Sequence, residues 1–260
     1  MIVEGDAENI LIPTLAKSIG RDFTKYGVSI VNVGGVGLRR YAKIFLRNNV
    51  EQDGIIDIPV ACVTDLDVMP DCGPEITRKV KSEEKWPETT GSNARKWRAK
   101  CDFENNELIG FKNRIRDKAH EQNVQSYVAD EWTLEYDLAH FNNNALAKEV
   151  FRAAKLAIWD ENESHSEKSY KEKEQLADSE FEKLKKEANT TAENKNWCKT
   201  ETIASSIYAQ FVTGSKASKS IAAQYLARIL EDKLGTQEAE EVEKLLPDYL
   251  VKAIKYVTQA

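Results

Sequence analysis

Residues 58–64, Ile-Pro-Val-Ala-Cys-Val-Thr, form a nearly unbroken apolar run that ends directly in Asp65-Leu66-Asp67. A run so short and so apolar suits a strand covered on both faces, as in a parallel sheet, better than a half-solvated one. Carboxylates crowded at the end of a buried strand repel one another, and a divalent cation is the usual physical reason to keep them there. A second instance stands at the start of the chain, where Ile2-Val3 runs into Glu4-Gly5-Asp6-Ala7-Glu8. The two clusters together point to metal-dependent phosphate chemistry.

The intervening sequence fixes how the clusters meet. Residues 7–19 place Ile10, Leu11, Leu15 and Ile19 on one helical face, with Pro13 as an irregularity, and residues 28–33 are β-branched and apolar. Gly34-Gly35-Val36-Gly37 makes a turn, after which Leu38, Tyr41, Ala42, Phe45 and Leu46 give a second helix its buried side. The order β-α-β-α-β implies a parallel core with crossover helices. Ligands of open α/β sheets bind beyond the strands' C-terminal ends, where both acidic clusters fall. Strand alternation across Asp65-Leu66-Asp67 would put both carboxylates on one side and Leu66 in the core. Glu4 and Glu8 would approach the same point from the strand end and the first helical turn.

At 260 residues, 41% of them hydrophobic, the chain can bury a substantial core. No apolar stretch approaches the roughly 20 residues that cross a bilayer, and no signal-like segment begins the chain, so the cytoplasm is the default location. Cys62, Cys72, Cys101 and Cys198 form no CxxC pair, which suits reduced thiols better than a disulfide framework or zinc site. A net charge of -6 argues against indiscriminate polyanion binding. Charge is nevertheless uneven: residues 78–100 hold eight Lys or Arg against three Glu, with Trp86 and Trp97 interleaved. Arg95, Lys96 and Arg98 in that run are candidate contacts to a phosphate backbone.

Farther along, residues 70–106 carry Pro70, Gly73, Pro74, Pro87 and Gly91 among many charges and read as a loop-rich insertion. Residues 108–120 look helical and 125–128 suit a fourth strand. The following motif, Trp132-Thr-Leu-Glu-Tyr-Asp-Leu138, offers Thr133 and Glu135 as a hydroxyl and a further acidic arm. Residues 144–197 are helical in pattern and, beyond Asp160, rich in alternating charge, the mark of a solvated face. Helices are expected again over 202–211, 219–234 and 238–258. The organisation expected is a core over 1–140 with its insertion at about 70–125, a helical insertion or arm over 141–200, and C-terminal helices over 201–260 that complete the site.

Glu-Gly-x-x-Glu at the first strand end with Asp-x-Asp at the third resembles the Toprim domain of topoisomerases, primases and several nucleases. Thr133-Leu-Glu135-Tyr-Asp-Leu138 and Ser218-Lys219-Ser-Ile-Ala-Ala-Gln224-Tyr-Leu-Ala227 resemble the C-terminal half of the OLD (overcoming lysogenization defect) endonucleases. The resemblance implies a Toprim-type parallel sheet flanked by helices, and cleavage of DNA with two divalent cations, Mg²⁺ or Mn²⁺, which suit all-oxygen ligands. Glu4, Glu8, Asp65, Asp67 and Glu135 would then serve the metals, Thr133 would add an oxygen, and Lys219 would supply a fixed cation at the phosphate. Lys216, three residues earlier, is its rival. Family members carry an ATPase domain before this half, whereas the chain has no Gly-x4-Gly-Lys-Ser/Thr loop. The resemblance therefore implies a catalytic fragment, with ATP coupling and much of any homo-oligomerisation lying outside it.

Plainer readings stand beside these. Acids at a helix start favour the helix dipole without any metal. The glycine turn, with Gly34, Gly35 and Gly37, suits a DNA-backbone contact but also plain backbone geometry. His120, His140 and His165 have no ligand-pair spacing. A nucleic-acid-binding Toprim scaffold without chemistry is the main alternative function. A primase or topoisomerase fragment is another, although Met69 stands where those would place a third aspartate.

Overall fold

Strands form where β-branched and small apolar residues can be covered from both sides. In a computed structural model, which describes residues 1–35, 37–82, 85–90, 94–104 and 106–259, they are β1 (Ile2–Val3), β2 (Val31–Asn32), β3 (Val60–Thr64), β4 (Val68–Met69), β5 (Arg98–Ala99) and β6 (Val124–Val128). Val36 of the glycine turn and residues 83, 84 and 91–93 of the basic run lie outside the described residues. Among the described residues the main sheet is four-stranded and wholly parallel, in the order β2-β1-β3-β6. Ile2 pairs with both Val31 and Cys62, and Thr64 pairs with Val128, so Glu4, Asp65 and the loop after β6 leave one edge together. A separate parallel pair joins β4 to β5, with Val68 opposite Arg98.

The helices in chain order are α1 (Asp6–Ser18), α2 (Phe23–Tyr26), α3 (Leu38–Ala42), α4 (Val50–Asp53), α5 (Gly73–Ile76), α6 (Glu107–Arg116) and α7 (Leu134–Asn144). They continue with α8 (Ala147–Glu161), α9 (Tyr170–Lys195), α10 (Lys199–Val212), α11 (Lys219–Leu234), α12 (Ala239–Glu243) and α13 (Asp248–Val257). The period of two in β1 and β3 separates two cores. Val3, Ala61, Val63 and Val128 join the large cluster formed with α1, α8, α10, α11 and α13. Ile2, Val60, Cys62 and Val124 face the other way, onto Leu38 and Ala42 of α3. The apolar run is thus covered on both faces, as its composition implied.

Helix α1 turns Leu11, Ile12 and Leu15 inward, each almost fully buried, and α11 lies along it with Leu226, Ile229 and Leu230. Burial of each such side chain contributes about 1.5–3 kcal/mol. Helix α8 packs against α11, and Lys233 of α11 reaches Glu149 of α8 at 2.7 Å. Two sequence expectations need correction. The helix after the glycine turn is only α3 followed by a 3-10 turn at Lys43–Phe45, which leaves Tyr41 exposed instead of buried. The helix expected over 238–258 is divided into α12 and α13, because Pro247 lacks an N–H and its ring opposes the preceding turn's carbonyl.

Candidate active site

At the C-terminal edge of the sheet, Glu4, Gly5, Asp6, Ala7, Glu8, Asp65, Glu135, Lys219 and Ser220 line an open cleft of about 320 Å³. Four separate segments meet there: the end of β1 with the first turn of α1, the end of β3, the first turn of α7, and the first turn of α11. A Cβ at Gly5 would lie 2.9 Å from Glu8 Oε2, so a side chain there would displace the end of the Glu8 side chain from its present position.

The central contact runs from Lys219 Nζ to Glu135 Oε2 at 2.9 Å. Ser218 caps α11 and sets its first turn toward the sheet edge, accepting from the Ile221 N–H. The Lys219 side chain is 42% exposed, so its ammonium lies at the cleft mouth, whereas that of Glu135 is 9% exposed. Thr64 donates its hydroxyl to Glu4 Oε1 at 3.0 Å, and the Leu134 N–H donates to Asp65 Oδ1 at 3.2 Å.

Electrostatically the carboxylates form one group. Burial lifts the pKa of Glu4, with repulsion from Asp67 and Glu8 adding to it and the Thr64 hydroxyl opposing. Burial likewise raises Glu8, reinforced by Glu135 and opposed by Lys219. Asp65 stands well above its ordinary value of 3.8 through burial and repulsion from Glu135, Glu8 and Asp67, against which Lys219 acts. Asp67 is raised by burial and relieved by Lys219. For Lys219 itself, burial favours loss of the proton, but Glu135, Tyr208 and Asp65 outweigh it and the pKa rises. A crowded set of half-buried carboxylates held near one ammonium is short of positive charge.

The donor chemistry therefore fits a hard divalent cation. Among the described residues, however, no three His, Cys, Asp or Glu side chains are already gathered in a ligating arrangement. Glu135 is held by Lys219, and Asp67 is not among the residues lining the cleft.

Asp65 and Asp67 do not reach the site by strand alternation. Strand β3 ends at Thr64, and Asp67 adopts a left-handed backbone with φ of 58°. The N–H groups of Leu66 and Asp67 both donate to Trp132 O, at 3.0 and 3.1 Å, while Leu66 is buried. The turn at Trp132 is in turn organised by Asp137, which the sequence reading left without a role. Asp137 Oδ2 accepts from the N–H groups of Asp130 and Glu131, at 2.8 and 3.2 Å, and Oδ1 from that of Trp132 at 2.9 Å. Asp137→Asn would aim an amide at one or two of these donors, and we expect a loss of about 2–4 kcal/mol in denaturant unfolding, with a melting midpoint lower by roughly 5–10 °C.

Thr133 is the N-cap of α7. Its hydroxyl accepts from the Tyr136 N–H at 3.4 Å and bonds the Tyr208 side chain, and it does not line the cleft. Tyr208 itself carried no sequence signal. It is buried on α10 with its ring 5.5 Å from Lys219 Nζ and 4.2 Å from the Trp132 ring, and so fixes the lysine's approach. Lys216 is exposed in the loop before α11, away from the cleft lining.

Gly34 and Gly35 have φ of 64° and 100°, values that favour glycine, and the Gly35 N–H donates to Glu4 O at 2.7 Å. Gly37 precedes α3. The turn therefore forms the rim beside Glu4. Arg95 is spent inside its own loop: its guanidinium lies 3.9 Å from the Trp97 ring centroid and also over Trp86, donates to the Pro87 and Trp97 carbonyls, and pairs with Asp102. Its side chain is 5% exposed. Arg98 lies over Phe111 at 4.7 Å, and Lys96 is exposed. Arg95→Ala should therefore cost about 3 kcal/mol of local stability, read by hydrogen exchange of residues 94–103.

A parallel sheet with acids at the ends of the adjacent strands β1 and β3 is the arrangement of a Toprim-type fold. Residues 1–67, which contain Glu4, Glu8, Asp65 and Asp67, match the family model for the Overcoming lysogenization defect protein-like TOPRIM domain. Over this segment the chain is similar to an OLD-like Toprim domain, as the motifs suggested. Among solved structures the chain is similar to the C-terminal region of the Burkholderia pseudomallei OLD protein, with a TM-score of 0.45 and 19% identity over 99% of this chain and 95% of that one. The C-terminal region of the Xanthomonas campestris pv. campestris OLD protein gives a TM-score of 0.44 and 15% identity over 99% and 90% of the respective chains. No curated protein sequence matches the chain.

Proposed function

We propose that this chain is the catalytic region of a metal-dependent DNA endonuclease, with the C-terminal helices completing the active site of the Toprim core. The observation that carries the reading is the placement of Lys219, from the far end of the chain, 2.9 Å from Glu135 among the charges of Glu8, Asp65 and Asp67. A purely structural lysine has no need of so many acids, and a helix-capping role for Glu4 and Glu8 leaves Asp65 and Glu135 unexplained.

Glu4, Glu8, Asp65, Asp67 and Glu135 would hold the cations. Two bound Mg²⁺ or Mn²⁺ ions would supply a Lewis acid for the attacking water and charge neutralisation for the leaving 3′ oxygen. The chain's own residues do the rest. Lys219 would present its ammonium to the non-bridging oxygens of the scissile phosphate, where negative charge builds. Tyr208 keeps the ammonium aimed at the mouth, and Thr64 orients Glu4. Gly35 and Gly34 leave the rim free of side chains, so a phosphate backbone can come close to Glu4.

The decisive experiment is incubation with supercoiled plasmid in Mg²⁺, Mn²⁺, Ca²⁺ or EDTA. Nicking and linearisation that require Mg²⁺ or Mn²⁺ support the reading. A chain inert in every metal would instead be a nucleic-acid-binding scaffold, or a nuclease that needs a further domain.

A further inference from the structure

Residues 23–50 contain no Asp or Glu, although the chain as a whole is acidic. Within that stretch α3 and the 3-10 turn after it bury Leu38 and Ala42, and partly Phe45 and Leu46, against the sheet. Arg39, Arg40 and Lys43 in these elements and Arg47 just after them are all exposed, with Tyr41 44% and Ile44 66% exposed among them. None of the four cations has a side-chain hydrogen bond or ion pair among the described residues. This contrasts with Lys100, Lys112, Arg152 and Lys233, each paired with a carboxylate. An outer helical face normally mixes both signs; four unpaired cations interleaved with an aromatic and an aliphatic side chain suit an extended polyanion with apolar surface of its own.

The strip follows the glycine turn in sequence, and two hydrogen bonds tie the segment before it to residues that line the cleft: the Gly35 N–H donates to Glu4 O, and Asn32, at the end of β2, donates to Asp6 Oδ1 at 2.5 Å. Carboxylates repel a phosphate strand on approach, so a strand arriving at this rim needs positive charge beside it. We infer that Arg39, Arg40, Lys43 and Arg47, with Tyr41 and Ile44, form a nucleic-acid track that leads a DNA strand over the glycine turn into the cleft. The track rests on the endonuclease reading for the fate of the strand, but not for its binding. A membrane surface fits less well, because α3 has only five residues, too few for an apolar face to lie in a lipid interface.

The test is fluorescence anisotropy of a labelled DNA duplex in Ca²⁺ over a range of salt, comparing the wild type with Arg39→Ala/Arg40→Ala/Lys43→Ala. A control, Lys183→Ala/Lys185→Ala/Lys186→Ala, removes three exposed lysines from α9. We expect the strip variant to bind at least about tenfold more weakly at low salt, with a slope of log K against log salt shallower by about 2–3, and the control to stay within about twofold. Unchanged affinity and slope in the strip variant, an equal loss in the control, or binding to phosphatidylserine vesicles in place of DNA would each overturn the track. Plasmid nicking in Mg²⁺ separates the two readings. A wild type that binds through the strip but never cuts leaves the track standing and removes the nuclease; a wild type that cuts while the strip variant binds normally does the reverse.

Discussion

Asp65→Asn should abolish metal-dependent nicking, by about a thousandfold or more, while the metal-free protein melts higher than the wild type. The two effects have one cause. Asp65 is surrounded by Glu135, Glu8 and Asp67, and Lys219 offsets only part of that repulsion. Asparagine keeps the oxygen that accepts from the Leu134 N–H but carries no charge. Removing an underpaired carboxylate is worth about 1 kcal/mol or more, equivalent to roughly 2–4 °C in a domain of this size. The sign with pH follows from linkage: because the folded pKa of Asp65 lies above 3.8, its share of stability is present below that value and is lost as pH rises through the raised pKa. The advantage of the variant should therefore be absent in acid and grow toward neutral pH. Added Mg²⁺ should raise the melting midpoint of the wild type and leave that of Asp65→Asn nearly unmoved. A variant that nicks normally, or melts lower in EDTA at neutral pH, would contradict this account.

Lys219→Ala should lower the nicking rate about 10²–10³-fold at saturating metal and DNA, the usual cost of removing one fixed donor from a developing anion. Lys216→Ala should leave the rate unchanged, since that side chain is exposed in the preceding loop. Loss of Lys219 also leaves Glu135 without its partner and removes the positive charge that favours ionisation of Glu8, Asp65 and Asp67. The metal-free variant should accordingly melt lower at neutral pH, opposite in sign to Asp65→Asn. Equal losses from both lysine variants would shift the catalytic cation to the loop.

Local pattern was enough for the parts of the molecule that depend on local chemistry. The buried run at β3, the helix α1 and the acids beyond both strands could be read directly, because periodicity and charge crowding are properties of neighbouring residues. Strand β6 and the helix around α6 were likewise visible. The pair β4 and β5 was not: each is two residues long, and Val68–Met69 becomes a strand only by meeting Arg98–Ala99 across the insertion. The same holds for Tyr208 and Asp137. Nothing near Tyr208 in sequence says that its ring will lie beside Lys219, and the value of Asp137 lies in three backbone donors that a sequence cannot display. Arg95 taught the converse lesson, since a basic residue between tryptophans looked available for phosphate and is instead enclosed by them.

The pairing of α1 with α11 also sets a timetable for synthesis. The ribosome makes the carboxylates at positions 4, 8, 65 and 67 long before it reaches Lys219, an interval of about 8–30 s at 5–20 residues per second. Until then α1 lacks the helix that covers Leu11 and Leu15, and the acids lack their ammonium. A nascent chain therefore cannot assemble this cleft before α11 has emerged, and it acquires the cleft in the same event that covers α1.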